Sequence, residues 1–209
     1  MNRRSSIVSA FAVASLLTAS TVAAQDLVVF NRTVSAVSDG ARKVTRLSEA
    51  PGDGVAYLKG VEFENGTIEF DVKGKDVQGA SFVGVAFHGV DGTTYDAIYF
   101  RPFNFKTEDP ARRLRAVQYI SHPTYTWDKL RAEQPGQYEK PVNPAPDPNA
   151  WFHVRVVVAH PKVSVFVGDA TDPVLVVTQL SDRGKGLVGL WVGNTSGGDF
   201  ANFRIVPQH

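Results

Sequence analysis

Strict two-residue alternation is what most limits the folds open to this chain. In the segment GTIEFDVK, residues 66–73, Ile68, Phe70 and Val72 fall on one side, with Thr67, Glu69, Asp71 and Lys73 on the other. Successive side chains of a strand point to opposite faces, so this segment offers one face to a core and one to water. Residues 81–88 repeat the pattern: Val83, Val85 and Phe87 make the apolar face, while Gly84, Ala86 and His88 lie opposite. Small residues on that opposite face leave room above a sheet, for a packed loop or for a groove. Helical stripes are almost absent, and runs rich in Val, Ile, Phe and Tyr recur at short intervals between Gly, Asp, Asn and Pro. Strands are expected at 27–30, 43–47, 55–58, 66–73, 81–88, 95–101, 114–121, 152–159, 163–168, 174–179, 187–192 and 200–206. So many short strands with tight turns between them point to an all-β antiparallel sandwich or barrel.

Two regions break the alternation. At the start, Arg3 and Arg4 precede a short apolar run, and small residues lead up to Gln25. That order is a secretory signal peptide over 1–24, with an apolar run too short to span a bilayer. Residues 25–209 then suit a single domain. The second region, 122–150, is rich in proline and long for a connection inside a compact domain. Thr126 is placed to cap one short helix over 127–134, which Pro135-Gly136 stops. The aromatic residues Tyr125, Trp127 and Tyr138 are costly to leave loose in water, which favours an ordered, lid-like loop.

The chain has no cysteine, which excludes disulfides, iron–sulfur clusters and cysteine zinc sites. A formal charge of +1 without a long basic run argues against nucleic acid as the main partner. A secreted or periplasmic protein is expected, a monomer with no membrane span.

The order of FENGTIEFDVKG, SFVGVAFHG, YDAIYFRPFNF, WFHVRVVV, VSVFVGD, GLVGLWVGN and DFANFRIV resembles the concanavalin A-like lectin/glucanase superfamily, whose members include laminin-G-like modules. It is similar also to exported bacterial domains of that superfamily described as family-16-like or 3-keto-disaccharide-hydrolase-like. The resemblance runs from about Val55 to Val206. It implies an antiparallel two-sheet β-sandwich of jelly-roll form, a concave polar face, and a poly- or oligosaccharide as partner. Related domains often hold calcium near the last strand, which makes Asp199, in GGDFANF, a candidate ligand for a structural ion.

Glucanases of this superfamily carry Glu-x-Asp-x-Glu on one strand, because period two sets three carboxylates on one face around a glycosidic bond. The nearest match here is Glu69-Phe70-Asp71-Val72-Lys73, with lysine in the third position. The catalytic signature is therefore absent, and Glu69 and Asp71 read as a solvated strand face. Asp96, Glu139 and His88 remain as weaker acid or base candidates. The ligand-binding candidates are Tyr99 and Arg101 on one strand, Gln118 on the next, and His122, Tyr125 and Trp127 running on into the loop. Arg and Gln offer several hydrogen bonds to sugar hydroxyls or carboxylates, and aromatic rings cover the apolar face of a pyranose. Three functions follow from this surface: carbohydrate binding, a glycoside hydrolase or polysaccharide lyase on the same face, or an adhesive module for another protein.

Overall fold

The computed structural model describes residues 27–208; the expected signal peptide lies outside them. Two antiparallel sheets of seven strands face each other. With strands numbered in chain order, the first sheet runs β1 (Leu27–Phe30), β4 (Gly54–Phe63), β13 (Gly186–Val192), β6 (Val83–Gly89), β7 (Tyr95–Phe100), β8 (Val117–His122), β9 (Glu139–Lys140). The second runs β12 (Leu175–Thr178), β11 (Lys162–Val167), β10 (Phe152–Ala159), β5 (Gly66–Lys73), β14 (Gly198–Pro207), β3 (Arg42–Leu47), β2 (Val34–Asp39). Helices are short: α1 (Pro110–Arg113), α2 (Trp127–Glu133) and one 3-10 turn at Pro102–Asn104. Among the described residues, no helix is long and apolar enough to cross a membrane.

Alternation builds the core as the sequence implies. Ile68, Phe70 and Val72 of β5 are fully buried and stand in register with Val156, Val154 and Phe152 of β10. From the first sheet, Val83, Val85, Ile98 and Phe100 close on them. Phe100 meets Phe152 edge-on at 5.3 Å between ring centres, which marks the face of β7 that looks into the sandwich.

β5 and β10 alternate between buried and half-buried residues, but β6 and β7 are buried along their whole length. Something must therefore cover the outer face of the first sheet. Part of the cover is the 3-10 turn and α2, whose Phe103, Asn104, Trp127 and Arg131 line a cavity over Tyr99, Ile120 and Trp191.

Several elements differ from expectation, among them β4, expected over 55–58, which runs on to Phe63. β2 went unseen because its small and polar residues form a largely exposed strand at a sheet edge. The strand expected at 114–121 starts at Val117, because Asp109 caps α1 by accepting from the Ala111 and Arg112 N–H groups, with Pro110 at the first helical position. Inside 122–150, Glu139 and Lys140 pair with β8, so that segment holds a strand as well as its helix. α2 lies where expected, but Thr126 caps it through its backbone carbonyl alone, accepting from Leu130 N–H at 3.0 Å.

Candidate functional site

Five residues stand in one row across the outer face of the first sheet: Trp191 of β13, Gly84 of β6, Tyr99 of β7, Gln118 of β8 and Glu139 of β9. Gly84 is the low point of the row. Trp191 and Tyr99 lie two strand spacings apart, about 9.6 Å, yet their rings close to 4.8 Å over it. The pair floors a cavity of about 600 Å³, walled by Phe82, Phe103 and Asn104 on one side and by α2 on the other.

Arg101, just past β7, keeps the orientation of Tyr99 and is 5% exposed. Its Nη2 donates to the Tyr99 hydroxyl at 2.6 Å and to Gln118 Oε1 at 2.5 Å, and its Nη1 donates to the Arg115 carbonyl at 3.1 Å. Burial pulls the Arg101 pKa down, opposed by Tyr99 and Glu139. Burial also pushes the Tyr99 hydroxyl up to about 12, against the pull of Arg101. Glu139 is gripped by Arg131 of α2 through two hydrogen bonds of 3.0 and 2.7 Å. The same Arg131 guanidinium lies over the Trp127 ring at 4.9 Å, which fixes that half-exposed indole at the cavity mouth.

At the other end, His122 stacks on Tyr95 at 5.1 Å, with its Nδ1 3.9 Å from Asp53 Oδ2. The Tyr95 hydroxyl donates to Asp53 Oδ2 and accepts from Trp191 Nε1, both at 3.0 Å. Burial lowers the His122 pKa, with Asp53 and Asp128 opposing it, so the ring is weakly basic.

No family model and no curated protein matches the chain. Solved structures do. The carbohydrate-binding module CBM66 of Bacillus subtilis superposes with a TM-score of 0.59 at 16% identity, over 85% of this chain and 93% of that one. The exoplasmic/lumenal domain of VIP36, in a Ca2+/Man3GlcNAc-bound form, gives 0.54 at 12%, over 85% and 83%. Bacillus licheniformis β-glucanase gives 0.51 at 17%, over 92% of each. The fold is a concanavalin A-like jelly roll.

The jelly roll separates the candidate residues into distinct environments. Tyr99, Arg101, His122 and Trp127 line the cavity. Gln118 does not; fully buried, it lies beneath and orients Tyr99 and Arg101. Tyr125 lines a neighbouring depression with Leu180 and Arg183, which shares only His122 with the main cavity.

His88 was expected beside Gly84 and Ala86, but it leaves that face. Its φ of +48° and the register shift between β13 and β6 turn the ring inward. There its Nε2–H donates to the Glu64 carbonyl at 2.7 Å, and Nδ1 accepts from Gln179 Nε2 at 2.9 Å. Asp96 has the parity of Ile98 and Phe100 and so faces the interior. It accepts from the Tyr119 hydroxyl and Ser181 Oγ, both at 2.6 Å, and from Arg183 at 3.2 Å. Neither residue borders the cavity. Glu139 is near it but enclosed by arginines.

Asp199 is no free calcium ligand, because Arg46 takes both its oxygens at 2.6 and 2.7 Å. Among the described residues, no group of three acidic or histidine side chains is arranged to hold a metal. Glu69 and Asp71 lie on the second sheet, away from the cavity. Arg204 engages Glu69 at 2.5 Å, and Asp71 accepts from Arg42, His153 and Asn202. Burial raises the Asp71 pKa, but the hydrogen bonds from His153, Asn202 and Arg42 outweigh it and hold the group low.

Sequence reasoning missed Trp191, Phe82 and the arginines 112, 115 and 131. Trp191 sits in a run that reads as core strand, and it is core on every side but one. Arg112 and Arg115 had a visible signal in the run ARRLR, whose meaning depended on where α1 folds back.

Proposed function

We propose that this is an exported carbohydrate-binding protein whose sugar site is the cavity on the outer face of the first sheet. One observation carries the proposal: Tyr99 and Trp191 form an aromatic floor beside the Arg101 guanidinium, with the exposed Trp127 at the mouth. Sugar sites need this mixture, since rings cover the C–H faces of a pyranose and fixed donors select its hydroxyls. The jelly-roll neighbours that include a carbohydrate-binding module and a Man3GlcNAc-bound domain support the same ligand class at the level of fold.

Binding is favoured over hydrolysis because none of the three acid or base candidates presents an unengaged group to the cavity. His88 and Asp96 belong to the sandwich interior, and Arg131 occupies both oxygens of Glu139. An inverting or retaining glycosidase needs two carboxyl groups flanking one bond.

A glycan array followed by calorimetry tests the proposal, with Trp127→Ala as the decisive variant. Trp127 is 47% exposed, so its truncation should leave folding intact. Affinity should fall by about tenfold, as loss of roughly 1.4 kcal/mol of ring contact implies. Silence on the array, together with capture of a stable protein partner, would instead support an adhesive module.

A further inference from the structure

Guanidinium groups outnumber carboxylates at one end of the cavity. Arg101, Arg112, Arg115 and Arg131 line that end, and one carboxylate, Glu139, lies among them. Arg131 uses both of its oxygens. Arg115 and Arg101 come only to 3.7 and 3.9 Å, too far for hydrogen bonds. Arg112 donates to neutral acceptors, Asn104 Oδ1 at 3.2 Å and the Phe103 carbonyl at 3.1 Å. The remaining acids lining the cavity do little to offset this charge. Asp53 belongs to the His122 end, and Asp128 is exposed at the start of α2, where water screens it.

We propose that the saccharide bound here is anionic, carrying carboxylate or sulfate groups, and that its oxyanion docks against Arg115 and Arg101. This rests on the carbohydrate-binding proposal and narrows it. The chain as a whole is nearly neutral, at +1, so the cluster is a local feature and not part of a generally basic surface. Arg101 has given up most of its hydration, and an oxyanion within the same enclosure restores what burial removed. Planar guanidinium forks match a carboxylate or sulfate edge with paired donors. A purely structural role accounts for Arg101, Arg112 and Arg131, each tied to chain nearby. It does not account for Arg115, whose guanidinium donates no hydrogen bond among the described residues while it faces the cavity.

The test is calorimetric titration with paired ligands: oligouronates of several linkages against their carboxyl-reduced counterparts, and sulfated oligosaccharides against desulfated ones. At least one acidic ligand should bind about tenfold or more tighter than its neutralised partner, as a charge-assisted hydrogen bond implies. The pair that shows the preference identifies the oxyanion as carboxylate or sulfate. Arg115→Gln, checked for folding by its melting curve, should cut the preference severalfold, leaving what Arg101 supplies. Equal binding within every pair would overturn the anionic ligand and leave the sugar site standing. An undiminished preference in Arg115→Gln would overturn docking at this end. Failure to bind any saccharide, neutral or acidic, would remove both proposals together.

Discussion

His88 is held neutral by burial, and the hydrogen bond it accepts from Gln179 fits that state. Its Nδ1 accepts from Gln179, its Nε2–H donates to Glu64, and Gln179 Oε1 accepts in turn from His160 Nδ1 at 3.0 Å. A second proton on His88 would point at the Gln179 amide, donor against donor, inside a buried contact. Burial accordingly lowers its pKa below the ordinary value, although Glu64 and Asp96 pull the other way. His122 is shifted in the same direction, also by burial. For a histidine depressed in the folded state, the unfolded chain binds more protons between the folded value and about 6.5. Stability from these two residues is therefore complete above that window and declines as pH falls through it. Urea denaturation between pH 7.5 and 5.5 should show a falling midpoint. His88→Asn suits the positive φ. It should cost about 1–3 kcal/mol at pH 7.5 through the partners left unsatisfied, and it should flatten the pH dependence. A midpoint independent of pH in the parent protein would contradict this account.

β6 shows how one strand serves both the core and the cavity. Val83 and Val85 pack inward, while Gly84 lets Tyr99 and Trp191 meet on the outer side. A Cβ on Gly84 would lie 2.0 Å from the Ile98 carbonyl oxygen and 2.6 Å from Tyr99 Cα, so β7 would have to move. Gly84→Ala should destabilise the fold by about 1–3 kcal/mol and alter the near-ultraviolet circular dichroism of the paired rings. Gly184→Ala is the control. Its added Cβ meets nothing within 4 Å, and its stability should stay within about 0.5 kcal/mol of the parent. Unchanged near-ultraviolet signal in Gly84→Ala would mean that the ring contact does not depend on this glycine. At this scale the sequence was most legible where a strand has one wet face, as in β5 and β10, whose expected and observed limits coincide. It was least legible for β2 and β9. In β2 the two valines, Val34 and Val37, stand three apart and so make no alternating face, and β9 exists only because the chain after α2 returns to the free edge of β8.

Across the whole molecule, local parity explains which parts of the site were legible. Tyr99 and Arg101 could be placed together because two residues separate them on one strand, and His122 and Trp127 because β8 leads directly into α2. Trp191 and Arg115 join them only through sheet order and the fold-back of α1, which no local pattern encodes. His88 was misplaced because a positive φ reverses the parity that alternation assumes. The export expectation can be tested against the fold as well. β1 begins at Leu27 and pairs through Phe30 with Leu58 to Val55 of β4, and Phe30 packs edge-on against Tyr57 at 6.1 Å. Cleavage after Ala24 would therefore remove the targeting segment and spare every residue of the first strand. We expect mass spectrometry of the exported protein to give an N-terminus at Gln25. Recombinant protein starting at Gln25 should fold, whereas protein starting at Asn31 should melt lower and associate, because losing β1 leaves β4 as an open sheet edge. Intact Met1 on protein retained in the cytoplasm would defeat the export proposal. Equal melting of the two truncated forms would show that β1 contributes nothing to the sandwich and that the cleavage position is not constrained by it.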